Sequence, residues 1–168
     1  IVKEDNIKVI LTGAGADDCL AGSNREIIYF LASIRKNKKE FNSELSSFCK
    51  KNNLDKKIIL NKIDALDKNN LTSADGTNAT KDYFLLNKNI KKTNYKNTQT
   101  FKDKLIDRII SNKLPRTLRY EDRNSMYNSI ENRVPFLDHE LVECSLNLPV
   151  NFIINNGLGK NILRRILK

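Results

Sequence analysis

The sequence has no apolar run of about 18 residues, the length a helix needs to cross a bilayer, so a transmembrane helix is excluded. Its three cysteines, Cys19, Cys49 and Cys144, lie far apart. A sparse odd count excludes a disulfide framework, and the lack of any CxxC pair or Cys/His cluster removes the usual zinc patterns. A reducing cytoplasm is the expected setting. Each cysteine reads as a small buried hydrophobe rather than a nucleophile. The chain opens on Ile1, with neither the charged nor the apolar region of a secretory signal, so it reads as an internal stretch. At 168 residues, 39% hydrophobic and 30% charged, it can bury a sizeable core, which excludes disorder throughout.

Acidic residues are in deficit, and the net charge is +10. The excess is local: residues 36–113 hold 18 basic and 9 acidic side chains, whereas residues 115–150 hold 4 basic and 6 acidic. The basic stretch is rich in lysine and asparagine, and the chain has 23 asparagines. A nucleic-acid binder clusters arginine and aromatics in one element, so nucleic-acid binding is not the expected function. A basic interaction domain remains a competing reading, to be recognised by a steep salt dependence of RNA or DNA binding.

What is present begins with a β-branched, apolar run, Ile7 to Thr12, which reads as a buried strand. Thr12-Gly13-Ala14-Gly15-Ala16-Asp17-Asp18 follows, and its two glycines allow a tight turn and a close approach to a ligand. Helical spacing then runs from about Asp17 to Arg35, with Leu20, Ile27, Ile28, Leu31 and Ile34 on one face. Helices are also expected within 44–49, over 54–66 and over 101–112, the last facing inward through Leu105, Ile106, Ile109 and Ile110. Ser73 to Asn78 reads as a turn. A short helix is expected over about 122–131, and Pro135 makes Val134 extended. Asp138 reads as the cap of a helix with Leu141, Val142 and Leu146 inward, ended by Leu148-Pro149. Gly157 and Gly159 mark a loop before a last helix from Lys160, with Ile162, Leu163, Ile166 and Leu167 inward. No stop signal follows, so the stretch reads as cut at both ends.

Two constellations could carry chemistry. Backbone N–H groups in a glycine turn at a helix start attract phosphate. Asp17 and Asp18 at the same spot oppose a bare phosphate but suit one bridged by Mg²⁺, which takes hard oxygen ligands. Spacing alone gives more weight to a plain strand-to-helix turn whose acids stabilise the helix dipole. The pattern is not the GxxxxGK[ST] loop. The second constellation is the dense alternation of charge from Arg119 to Asp138. It reads either as an ion-pair network of Asp122, Glu131 and Asp138 with Arg119, Arg123 and Arg133, or as a polar pocket for an acidic or zwitterionic substrate. Pattern alone favours the network. His139, at a helix start, reads as a surface residue, and Tyr120 and Met126 as packing residues.

Taken together, three blocks resemble the synthetase domain of the glutamine-hydrolysing asparagine synthetase family. LTGAGADDCLAG looks like its strand–turn–helix segment, RYEDRNSMYNSIENRVPFLDHELVE like its long polar block, and GKNILRRIL like its lysine-led helix. Asp75-Gly76-Thr77 fits a family turn. The resemblance implies an α/β fold of the PP-loop nucleotide-binding type. Residues 1–168 would be the C-terminal portion of the synthetase domain, mainly helical with one or few core strands. The Ser-Gly-Gly-x-Asp-Ser pyrophosphate loop and a glutaminase domain with its cysteine nucleophile are expected upstream of Ile1, and a further lysine beyond Lys168.

The resemblance implies ATP-dependent amidation of aspartate to asparagine through β-aspartyl-AMP, with Mg²⁺ and glutamine-derived ammonia, in a cytoplasmic enzyme, and it allows a homodimer. Thr12, Gly13 and Gly15 match the ATP-binding positions. Asp17 matches the aspartate that holds Mg²⁺-pyrophosphate, and Asp18 the acid after it. Arg123, Glu131 and Arg133 match recurrent polar residues of the catalytic pocket, and Asp122 its substrate side. Ala14 stands where the family usually has an acid associated with forming the acyl-adenylate, and a methyl group neither takes a proton nor binds a cation. Relatives that amidate another acceptor or close amide rings, and a catalytically silent binding module, are therefore competing readings. All of them need Asp17 near a cavity and Arg133 on the same side of the molecule.

Overall fold

A computed structural model describes residues 6–67, 100–110 and 113–167. The segment from Leu71 to Asn97, with the expected turn at Asp75-Gly76-Thr77, lies outside them. The described residues are mostly helical, with one small parallel sheet in which β1 (Val9–Leu11) pairs with β2 (Glu131–Arg133). The register sets Val9 against Glu131, Ile10 against Asn132 and Leu11 against Arg133.

The first strand is where expected but is not buried: Leu11 is 71% exposed and Val9 39%. A parallel sheet normally has both faces covered, and among the described residues this face is only partly covered. β2 departs from the sequence expectation of a short helix over 122–131. Glu-Asn-Arg has little strand propensity; pairing makes it a strand, since Glu131 N–H donates to Lys8 O at 2.8 Å and Thr12 N–H to Arg133 O at 2.9 Å. The expected helix lies earlier, over Lys113–Tyr127, with Pro115 tolerated in its first turn. Ser129, at φ 56°, turns the chain out of it.

The single helix expected from Asp17 to Arg35 is two, α1 (Ala16–Cys19) and α2 (Asn24–Ser33). Ala21 adopts φ 53°, and Ser23 starts α2 with a capping box. The Ser23 N–H and hydroxyl both donate to Glu26 Oε2, the former at 2.9 Å. Then come α3 (Lys38–Asn52), ended by left-handed Asn53, and α4 (Lys56–Asp67). After these lie α5 (Phe101–Ile110) and α6 (Lys113–Tyr127). A 3₁₀ turn, Pro135–Leu137, leads to α7 (His139–Asn147), whose cap Asp138 accepts from the N–H groups of Glu140 and Leu141. The last elements are α8 (Val150–Ile153) and α9 (Asn161–Ile166).

The core gathers Ile27, Phe30 and Leu31 of α2, Leu45 and Phe48 of α3, Ile59 and Ile63 of α4, Phe101 and Leu105 of α5, and Ile153-Ile154. The inward face of α5 is rotated from the expected one: Phe101, Leu105 and Arg108 are buried, whereas Ile106 and Ile110 are exposed. Leu141, Ile166 and Leu167 are exposed as well, so the last helices are less covered than their patterns imply. Tyr120 and Met126 are 60% and 56% exposed and do not serve as packing residues among the described elements. No described helix is long and apolar enough to cross a membrane.

Candidate functional site

The glycine turn joins the end of β1 to α1. Gly15 has φ 86°, and a Cβ there would stand 2.2 Å from Leu137 Cδ2, so glycine is needed both for backbone and for space. Gly13 O accepts from Ala16 N–H at 3.3 Å, closing the turn. Thr12, just before it, has its hydroxyl oxygen buried with no hydrogen-bond partner among the described residues. A buried polar atom left unpaired at a glycine turn calls for an explanation, and a bound ligand supplies one.

The two acids of the turn diverge. Asp17 stays half-exposed and forms an ion pair with Lys160, at the start of α9. Asp18 turns into the core, where the Arg108 guanidinium donates to it at 3.1 Å and Lys113 Nζ stands 3.7 Å away. Arg108 Nε also lies 2.8 Å from Glu26 Oε1, an ion contact without hydrogen-bond alignment. Glu26 is fully buried and Arg108 is 6% exposed. One guanidinium thus ties the helix after the glycine turn to the capping box of α2. Cys19 neighbours this cluster; burial pushes its thiol pKa up, and the Asp18 charge adds to the rise.

Glu131 and Arg133 are brought next to the turn by the sheet. Their exposed side chains pair with each other at 2.7 Å. Of the wider ion-pair network expected across 119–138, this is the pair found among the described residues; Asp122, Arg123, Arg119 and Asp138 are exposed. Asp122 and Arg123 lie on α6, which packs beside β2. Asn132, on the other face of β2, donates to Glu121 at 3.4 Å. Thr12 N–H, at the head of the turn, donates to Arg133 O at 2.9 Å, so the Arg133 backbone adjoins the start of the turn. Ala14 adds no polar atom, and His139 is exposed at the first position of α7. Cys144 is exposed, contrary to the expectation of burial, while Cys19 and Cys49 are buried.

Sequence reasoning passed over Glu26 and Arg108, and placed Lys160 only as the head of the last helix. The Ser23-x-x-Glu26 spacing signals the capping box, and Arg108 interrupts the i, i+4, i+7 stripe begun by Phe101 and Leu105. Nothing local marks Lys160 as the partner of Asp17.

Among the described residues, no group of three His, Cys, Asp or Glu side chains could hold a metal ion. Mg²⁺ is commonly held by one or two carboxylates with the rest of its shell from substrate phosphates and water. Asp17 fits that role as a single accessible carboxylate, whereas Asp18 would first have to leave its buried cation. The arrangement as a whole is a parallel strand feeding a glycine turn, with an orphan hydroxyl among the described residues and one surface acid, on a mostly helical scaffold. The family model for asparagine synthase matches residues 1–168, and the chain belongs to that family. Its general chemistry is ATP-dependent amidation of a carboxylate, the work of a carbon–nitrogen ligase on small-molecule substrates. No curated protein and no solved structure matches the chain.

Proposed function

We propose that the protein bearing this chain converts aspartate to asparagine. The side-chain carboxylate of aspartate attacks the α-phosphate of ATP, forming an acyl–phosphate bond and releasing pyrophosphate. Ammonia, derived from glutamine by a glutaminase domain of the same protein, then attacks the acyl carbon of β-aspartyl-AMP, and AMP leaves. The observation that carries the reading is the buried Thr12 hydroxyl at the head of the Gly13–Gly15 turn, without a hydrogen-bond partner among the described residues, in a chain of this family. Thr12, Gly13 and Gly15 would receive the nucleotide through a hydroxyl and backbone N–H groups.

Asp17 would hold Mg²⁺ together with pyrophosphate oxygens, and the ion, when bound, would offset the charge of the leaving group. Asp18 stays with Arg108 and shapes the turn from beneath. Glu131 and Arg133, a solvent-facing pair beside the turn, and Asp122 and Arg123 on the adjoining helix would line the carboxylate side of the pocket. Arg133 suits this task, because a guanidinium meets a carboxylate with two parallel donors.

Ala14 favours a second reading. Without an acid at that position, the acceptor is a different carboxylate or the turn binds nucleotide without completing the reaction. ATP–pyrophosphate exchange in the full-length protein separates these. Aspartate-dependent exchange that falls on the order of a hundredfold in Asp17→Ala supports the first reading. Exchange unchanged in that variant removes Asp17 from the site. A rise in synthesis in Ala14→Glu identifies an intact but weakened aspartate enzyme, and exchange driven only by other carboxylates supports the second.

A further inference from the structure

Lys160 is held against the glycine turn by more than its charge. It is the residue before α9 and adopts φ 53°, a left-handed backbone that is costly for a side chain with a Cβ. Its N–H donates to Leu20 O at 2.8 Å, just after α1. Gly159 before it passes so close to the turn that a Cβ there would stand 1.7 Å from Ala21 O. The preceding loop is fixed to α3, because Glu44 accepts from the N–H groups of Asn156 and Gly157, at 3.0 and 2.6 Å. Gly22 leaves room for the lysine stem: a Cβ there would meet Lys160 Cε at 2.4 Å and Asp17 Oδ1 at 1.8 Å. Together these features bring one ammonium to the Asp17 carboxylate from a segment more than a hundred residues away.

We propose that Lys160 is a positioning residue of the polyphosphate site, holding Asp17 as its resident cation and competing with a divalent metal ion for that carboxylate. The inference rests on the assignment of Asp17 above. It follows from charge and reach: Asp17 is the one acid of the turn open to solvent, and a carboxylate shared with an ammonium is a poorer metal ligand. Lys160 keeps about a third of its side chain exposed, so it can leave Asp17 without unpacking the core. Once the carboxylate is taken by a metal, the same ammonium is left beside the turn, where a phosphate oxygen is the available anion.

The test is titration of full-length protein with Mn²⁺, alone and with inorganic pyrophosphate, read by calorimetry. Lys160→Met should bind Mn²⁺ alone about two- to fivefold more tightly, the range expected from freeing a half-exposed ion pair. It should bind pyrophosphate with Mn²⁺ more weakly, by a similar factor. Lys160→Arg should stay within about twofold of wild type for both. In an Asp17→Asn background the Mn²⁺ gain should vanish. Lys160→Gln takes the place of the methionine variant if that protein fails to fold. Mn²⁺ affinity unchanged or reduced by loss of the lysine, with Asp17→Asn still weakening pyrophosphate, overturns the inference alone. Pyrophosphate binding unaffected by Asp17→Asn overturns the assignment of Asp17 and the inference with it.

Discussion

A guanidinium with 6% of its surface exposed is tolerated only if its charge is met, and Arg108 is met from two sides by Asp18 and Glu26. Both carboxylates are themselves buried, so removing the cation leaves two negative charges in the core. Arg108→Met should therefore lower stability by about 3–5 kcal/mol, measured by urea unfolding. The triple substitution Asp18→Asn, Glu26→Gln, Arg108→Met should recover part of that loss, because no charge is then stranded. Equal loss in the single and triple variants would place the effect in packing rather than charge. The cysteines respond to the same burial. Burial raises the thiol pKa of both Cys19 and Cys49 and keeps the thiolate scarce near neutral pH. Iodoacetamide at neutral pH should label Cys144 first in the folded protein, with Cys19 and Cys49 following only on unfolding. Peptide mass spectrometry gives the order directly, and early labelling of Cys19 would mean that the turn opens readily.

At the scale of elements, what sequence revealed and concealed has a physical pattern. The helix over Phe101–Ile110 was legible from its apolar spacing although Arg108 interrupts the inward stripe, and so was the start at Asp138, where side chain and backbone agree. The break between α1 and α2 was not, because Leu20, Ile27 and Leu31 keep helical phase across it and only the Ser23–Glu26 box marks the new start. β2 was concealed for another reason: Glu131-Asn132-Arg133 becomes a strand through pairing with a segment some 120 residues away, which local propensity does not encode. The glycine turn was legible as a turn, yet the opposite fates of its two acids depend on Arg108 and Lys160, both remote in sequence.

The start of α5 yields a pH prediction. Thr100 donates to Asp103 through its N–H and its hydroxyl, each at 2.8 Å, and accepts from Asp103 N–H at 3.2 Å. These bonds hold the Asp103 carboxyl below its ordinary pKa, the Thr100 hydroxyl being the largest cause. A depressed pKa adds stability that is fully present above the unfolded value of about 4 and is lost as pH falls through the lower folded value. Thermal melts from about pH 5 down to pH 2 should thus fall less steeply in Asp103→Asn than in wild type. Parallel curves would show that the box adds nothing in solution.

For the molecule as a whole, the sheet sets the question of how far the structure extends. Helices cover one side of the fold, while Ile7, Val9 and Leu11 present apolar side chains to water along a two-stranded parallel sheet. Such a sheet has little independent stability, and parallel strands are ordinarily buried on both faces. The same strand carries Thr12 and so fixes the glycine turn, which makes the rigidity of the candidate site depend on what lies over β1. If the PP-loop portion of the family fold continues the sheet there, Leu11 is a core residue in the complete protein and a surface residue in residues 1–168 alone. Leu11→Glu separates the two conditions. In the 168-residue chain the change should fall within about 0.5 kcal/mol of neutral, as for an ordinary surface substitution. In the full-length protein it should cost about 2 kcal/mol or more, because a carboxylate would replace a buried apolar side chain. It should also weaken ATP binding there, through the turn that β1 holds. Equal, small effects in both would mean that this face meets solvent in the complete protein and that the glycine turn is rigid without further strands.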